Sequence, residues 1–226
     1  MENGKLDITK TISDGASYGL RNIVPLLVMV ILYFLTIWIP YLNVGTTIGF
    51  YKAVIKIGRG EQIDPVAIFD KDNFKNLSGF FLLLGLTYIG VVVACFFMLI
   101  PGIVMGIAWG FAVYFFIDKN VSPLKALQLS YDATYGNKWR IFFTQLLCSL
   151  ALSLVSGLLI AIPKAGVVLS VIASIIGAVI IVAVEGVMYD FFSKKADKIL
   201  AEKRLNDVFE TVEAVESKID EVITEP

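Results

Sequence analysis

The 226-residue chain has no histidine, only two cysteines and little charge. Each scarcity excludes something. Without histidine the commonest general base and metal ligand is missing, and no metal site is expected. Cys95 and Cys148 lie far apart in long apolar runs, so they read as small buried hydrophobes rather than as nucleophiles or a disulfide. Charged residues make up 17% of the chain, against about 25% in soluble domains. The 19 basic and 20 acidic residues nearly cancel, which gives no bulk attraction to nucleic acid. Met1–Asp14 mixes acids and bases with no small-residue cleavage pattern ahead of a short apolar core, and is not expected to be a cleavable signal peptide. No nucleophile–base pair or phosphate loop is present, so neither a catalytic residue nor a cofactor is expected, and the chain does not read as an enzyme.

What is abundant is apolar. The residues AVILMFWYC account for 57% before glycine is counted, against roughly 45–50% with glycine in soluble proteins. Mean hydropathy is +0.78. A soluble globular domain, a disordered chain and a disulfide scaffold are all excluded, and the first partner is the lipid bilayer.

Four charge-free runs define the spans: Asn22–Tyr51 (30 residues), Asn76–Ile117 (42), Ile141–Pro163 (23) and Ala165–Val184 (20). A crossing of the ~30 Å hydrocarbon core takes about 20 helical residues. The 42-residue run is therefore two helices, divided at Ile100-Pro101-Gly102. The first run reads either as one helix kinked at Pro40 or as a hairpin with Lys52 and Lys56 snorkelling. Two patterns favour the hairpin. Ile39-Pro40, Ile100-Pro101 and Ile162-Pro163 recur at intervals of 61 and 62, as three consecutive helical hairpins would. With six helices and both termini inside, 18 of 19 bases face the cytoplasm and only Lys164 lies on an outward turn. The expectation is an all-α polytopic protein of a prokaryotic cytoplasmic membrane. Its six spans fall near 23–39, 42–58, 77–99, 101–117, 141–162 and 165–192, within a domain 1–192 followed by a cytoplasmic helix 193–226.

Asp64-Pro65 and Ser122-Pro123 each combine an N-cap with proline at the first helical position. They predict short amphipathic helices at the inner interface, the second closed by Gly136, with Ile8–Tyr18 as a third. Trp38 and Tyr41 suit the outer interface, Trp139 and Tyr189 the inner one.

Ile100-Pro101-Gly102-Ile103, Asp118, Ala126-Leu127-Gln128-Leu129-Ser130 and Gly136-Asn137-Lys138-Trp139 together resemble a superfamily of uncharacterised prokaryotic multi-helix membrane proteins. Similar segments occur in the membrane region preceding some bacterial glycerophosphodiester phosphodiesterase domains. Ile39-Pro40-Tyr41-Leu42-Asn43, with Gly58-Arg59-Gly60-Glu61, is similar to the opening hairpin of related archaeal proteins. The resemblance covers roughly residues 20–145 and implies a six-helix bundle. No phosphodiesterase domain accompanies it, so it implies no activity.

Polar side chains within the spans are the candidate functional residues. Gln145, Ser149, Ser153 and Ser156 share one face of the fifth helix; Ser170, Ser174 and Glu185 share one face of the sixth. They read as a polar path or as ordinary interhelical glue. Glu185 is expected to be paired, protonated or hydrated, with Lys52 as the partner in an intramembrane ion pair or, failing that, an inner vestibule. Gly102, Gly106 and Gly110, and likewise Gly45 and Gly49, form small-residue ridges for close packing.

After Phe192 the chain becomes polar. Leu205, Val208, Val212, Val215, Ile219 and Val222 follow a heptad spacing. This predicts a coiled coil holding a homo-oligomer, or alternatively an amphipathic helix folded on the protein's own inner face. Residues 193–204 carry net +3 and residues 205–226 net −6. The leading functional expectation is a homo-oligomeric, cation-conducting pore lined by the Ser170–Ser174–Glu185 face. The alternatives are a membrane scaffold that recruits a cytoplasmic protein partner and a small-solute transporter.

Overall fold

The structure, a computed structural model, describes residues 4–163 and 165–224, without the side chains of 203, 206–208 and 210–224. All regular elements among these residues are helical: α1 (Ile8–Arg21), α2 (Ile23–Thr36), α3 (Pro40–Gly58), α4 (Leu77–Phe97), α5 (Leu99–Trp109), α6 (Ala112–Lys119), α7 (Pro123–Thr134), α8 (Lys138–Ile160) and α9 (Gly166–Thr224). Two short 3-10 turns, Pro65–Phe69 and Lys71–Phe74, stand between α3 and α4.

Local chemistry sets the ends. The Asp7, Asp64 and Ser122 side chains accept hydrogen bonds from the backbone N–H groups of Lys10, Val66 and Lys125, satisfying donors that a helix start leaves unpaired. Gly136 takes a positive φ of 79° after α7, where a side chain would be strained. Ile39-Pro40 opens α3, Ile162-Pro163 lies in the α8–α9 turn, and Ile100-Pro101 falls in the first turn of α5, just past the break at Met98.

Four helices are long and apolar enough to cross a membrane: Leu77–Phe97, α5 and α6 together as Leu99–Lys119, Lys138–Ile160, and Gly166–Glu202 at the start of α9. Joining α1 and α2 across their 74° bend would make a fifth. The six expected spans are not matched at 23–39 and 42–58. Helix α2 has 14 residues, or about 21 Å, short of the ~30 Å core. Helix α3 has 19 residues, but Asn43, Thr46, Thr47, Lys52 and Lys56 dilute its apolar character. Counting charge-free length credited uncharged polar residues and the turn at Ile37–Ile39 to the spans.

The segment after α3 gives a second reason. It folds back along α3, so that a Cβ at Gly45 would lie 2.0 Å from the Phe74 ring and one at Gly49 would lie 2.8 Å from the Ile68 backbone. Asp64, Asp70, Lys71, Asp72 and Lys75 consequently stay exposed beside α3. An exposed row of charges is costly within hydrocarbon.

Helix α9 is the spine. Helix α1 packs along it with Gly15 against Val184 and Gly19 against Ala183, so α1 is seated on the bundle rather than lying alone on lipid. Phe115, Tyr189 and Phe192 are fully buried where α6 meets α9. Burying side chains of this kind contributes roughly 1.5–3 kcal/mol each relative to exposure. Tyr189 is therefore a core residue, not the interfacial anchor expected from sequence. Along the hairpins, Phe96, Leu99, Ile100, Leu158 and Val167 are exposed, large apolar side chains suited to lipid. Cys95 is exposed on this surface and Cys148 is half-buried, unlike the buried pair expected.

Candidate functional site

The polar end of the bundle gathers charges from three helices. Arg59, just past α3, places Nη2 at 2.7 Å from both carboxylate oxygens of Asp118 on α6. The Tyr189 hydroxyl of α9 donates to Asp118 Oδ2 at 2.7 Å. Next in the chain, Lys119 reaches Asp197 of α9 at 2.9 Å. The Asp118 side chain keeps 11% of its surface exposed, so these bonds work at reduced dielectric. Burial opposes the charge on Arg59, but the hydrogen bond and charge of Asp118 outweigh it and hold the guanidinium's proton more tightly than usual. The cluster fixes the C-terminal ends of α3 and α6 to the middle of α9.

Two other polar devices shape this end. The α5–α6 break leaves the Ala108 carbonyl free, and the Ser130 hydroxyl of α7 donates to it at 2.7 Å. At the α1–α2 bend, the buried Asn22 amide donates to Tyr18 O and Glu61 O, while its oxygen accepts from Ile63 N–H. One side chain thus pins the bend to the loop that follows α3.

Glu185 is directed at the bundle's interior. Its carboxyl lies within electrostatic reach of the Tyr114 and Tyr51 side chains, and Tyr51 packs edge-on to Tyr114 at 5.0 Å between ring centroids. No ion pair joins Lys52 to Glu185 among the described residues. Lys52 instead lies near Asp72. The close crossing of Gly58 and Gly186 sets Glu185 beside the end of α3, six residues beyond Lys52.

The polar stripes divide. Ser156 and Ser174 hydrogen-bond each other at 3.1 Å, and Ser174 also donates to Ser170 O at 2.8 Å, so these hydroxyls join α8 to α9. Gln145, Ser149 and Ser153 point outward from α8. Of the glycines, Gly102 meets Cys95 of α4 at the backbone, Gly106 reaches only Val91 at 4.0 Å, and Gly110 meets only its own helix. Gly45 and Gly49 pack against the returning 3-10 turns rather than another long helix.

Helix α9 continues without a break from its apolar segment to Thr224. Leu205 and Phe209 are 55% and 58% exposed. The other heptad positions, Val208, Val212, Val215, Ile219 and Val222, have side chains outside the described residues, as does Lys164 on its turn.

Sequence reasoning missed the close glycine contacts that α9 makes with α1 and α3, at Gly15, Gly19, Gly58 and Gly186. Gly15 and Gly19 carried a readable signal, a four-residue small-residue spacing in an amphipathic helix. Asp118 and Arg59 were noticed only as pieces of a resemblance. No family model, curated protein or solved structure matches the chain, so function rests on the geometry alone.

Proposed function

We propose that this protein is a membrane scaffold whose last helix carries a docking rod from the bilayer into the cytoplasm. The observation that carries the reading is the unbroken course of α9 over 59 residues, roughly 88 Å. The rod's base is held by the Arg59–Asp118–Tyr189 and Lys119–Asp197 bonds. A helix fixed at one end and apolar along one face presents a partner with a preorganised surface.

Charge favours a different protein over a second copy. Residues 205–226 carry seven acids and one base, so identical tails in parallel repel, whereas a basic partner gains from steering and complementarity. The coiled-coil homo-oligomer is thus the less favoured occupant of the same heptad face.

In this reading the four long apolar helices cross a prokaryotic cytoplasmic membrane, and both termini are cytoplasmic. Helices α2 and α3 enter as a re-entrant hairpin and do not complete six crossings. That arrangement keeps Asp64–Lys75 in water and agrees with the positive-inside rule. A pore finds less support, because the Ser174 hydroxyl is already bonded to the Ser156 hydroxyl and the Ser170 carbonyl.

Cation flux into liposomes, measured for the wild type and Glu185→Gln across pH, tests the assignment. No flux from either protein is expected. Flux in the wild type that Glu185→Gln abolishes would overturn the scaffold reading in favour of the pore.

A further inference from the structure

A groove of about 540 Å³ opens between α4, α5 and α7, within the size range of small-molecule sites. Its walls include Ile89 and Gly90 of α4, Trp109 of α5, and Leu124, Gln128 and Tyr131 of α7. Gly90 is what lets the indole lie against α4: a Cβ there would stand 2.3 Å from the Trp109 ring. The three α7 residues recur on one helical face, so the groove runs along that face. No acidic residue lines it.

One end of the groove is marked by a cation. Lys138, at the start of α8, holds its Nζ 4.6 Å from the centroid of the Tyr131 ring and 5.9 Å from that of Tyr135. Tyr131, Tyr135 and Trp139 are all exposed around it, the side-chain chemistry that settles at the headgroup level of a bilayer. The other walls belong to α4 and α5, whose long apolar segments are suited to hydrocarbon. An apolar trench that begins at a cation in the headgroup layer and continues into the hydrocarbon matches a lipid in both halves.

From this juxtaposition we infer that the groove between α4, α5 and α7 binds an anionic phospholipid. One acyl chain lies along Ile89, Trp109 and Leu124, and the phosphate lies against Lys138 with the Gln128 amide beside it. A basic side chain near the membrane surface favours anionic over zwitterionic lipid, so phosphatidylglycerol-type headgroups are selected. The inference is independent of what the α9 rod recruits.

Trp109 is a reporter built into the wall. With Trp38→Phe and Trp139→Phe in the full-length protein, it becomes the sole tryptophan, and lipids with brominated acyl chains quench it only on contact. The protein is reconstituted in bilayers mixing phosphatidylglycerol and phosphatidylcholine, with one or the other brominated. Quenching is expected to give phosphatidylglycerol a binding constant about fivefold above that of phosphatidylcholine. Lys138→Gln removes that preference, and Lys138→Arg keeps it. The arginine variant separates lost charge from lost folding. Equal quenching by the two lipids, a preference unchanged in Lys138→Gln, or no quenching by either lipid would each overturn the inference; the last would mean that protein covers the groove.

Discussion

Gly58 and Gly186 touch backbone to backbone: a Cβ built on Gly58 would lie 2.1 Å from the carbonyl carbon of Gly186. Helices α3 and α9 therefore cross at a distance only glycine permits. A methyl group at either position must push the helices apart and strip apolar contacts from between them. Gly58→Ala and Gly186→Ala are each expected to cost about 3 kcal/mol, at the upper end of overpacking penalties. Gly157→Ala, with nothing within 4 Å, is expected to be neutral or to gain up to about 1 kcal/mol from helix propensity. Thermal denaturation of the three variants in one detergent reads the contrast.

Asp118 accepts from Arg59 and Tyr189 while largely shielded from water. Asp118→Asn keeps the shape but removes the charge, and is expected to cost about 2 kcal/mol, the size of a hydrogen bond to a charged group. Combined with Arg59→Gln, a double-mutant cycle should return a coupling of about 1 kcal/mol or more. Additive losses would mean the two residues act separately.

Asn22 makes three hydrogen bonds from one buried amide. Asn22→Ala leaves the Ile63 N–H and the Glu61 carbonyl without their partner, with an expected cost of about 2–3 kcal/mol. Hydrogen exchange should localise the loss to residues 61–63 and to the α1–α2 bend. Uniform loosening of the chain would contradict the local role.

Much of this architecture was legible in the sequence, and the misses have physical causes. Charge-free length located α4, α8 and the apolar start of α9, because desolvation of charge dominates insertion. No pair of long apolar helices matches it in 22–51, where Thr46 hydrogen-bonds Thr36 within a short α2–α3 hairpin and Ile68, Asn73 and Phe74 cover the glycine face. The Asp64 and Ser122 caps are local features and stand where expected, whereas the break expected at Ile100-Pro101-Gly102 falls at Met98, with those residues opening α5. The Lys52–Glu185 pairing depended on helix rotation, which long-range packing at Gly58 and Gly186 decides. Tyr189 illustrates the same limit, since its fit beside Asp118 reflects a contact 71 residues away in sequence.

The re-entrant reading of α2–α3 separates from six full crossings at Trp38, which is 87% exposed at the hairpin's turn. In a background with Cys95 and Cys148 replaced by alanine, Trp38→Cys is expected to resist a membrane-impermeant thiol reagent applied from outside. Ala165→Cys, on the α8–α9 turn, should react from that side. Labelling of both from outside would restore the six-crossing arrangement.

A scaffold of the kind proposed would receive a different, basic protein on the exposed face of the α9 rod. A photo-crosslinking amino acid placed at Phe209 in the full-length protein, activated in cells, tests it most directly. The expected result is an adduct heavier than the 24.9 kDa chain whose second component is a distinct basic protein, lost when Glu213 and Glu216 are changed to lysine. An adduct composed only of two copies of this chain would contradict it.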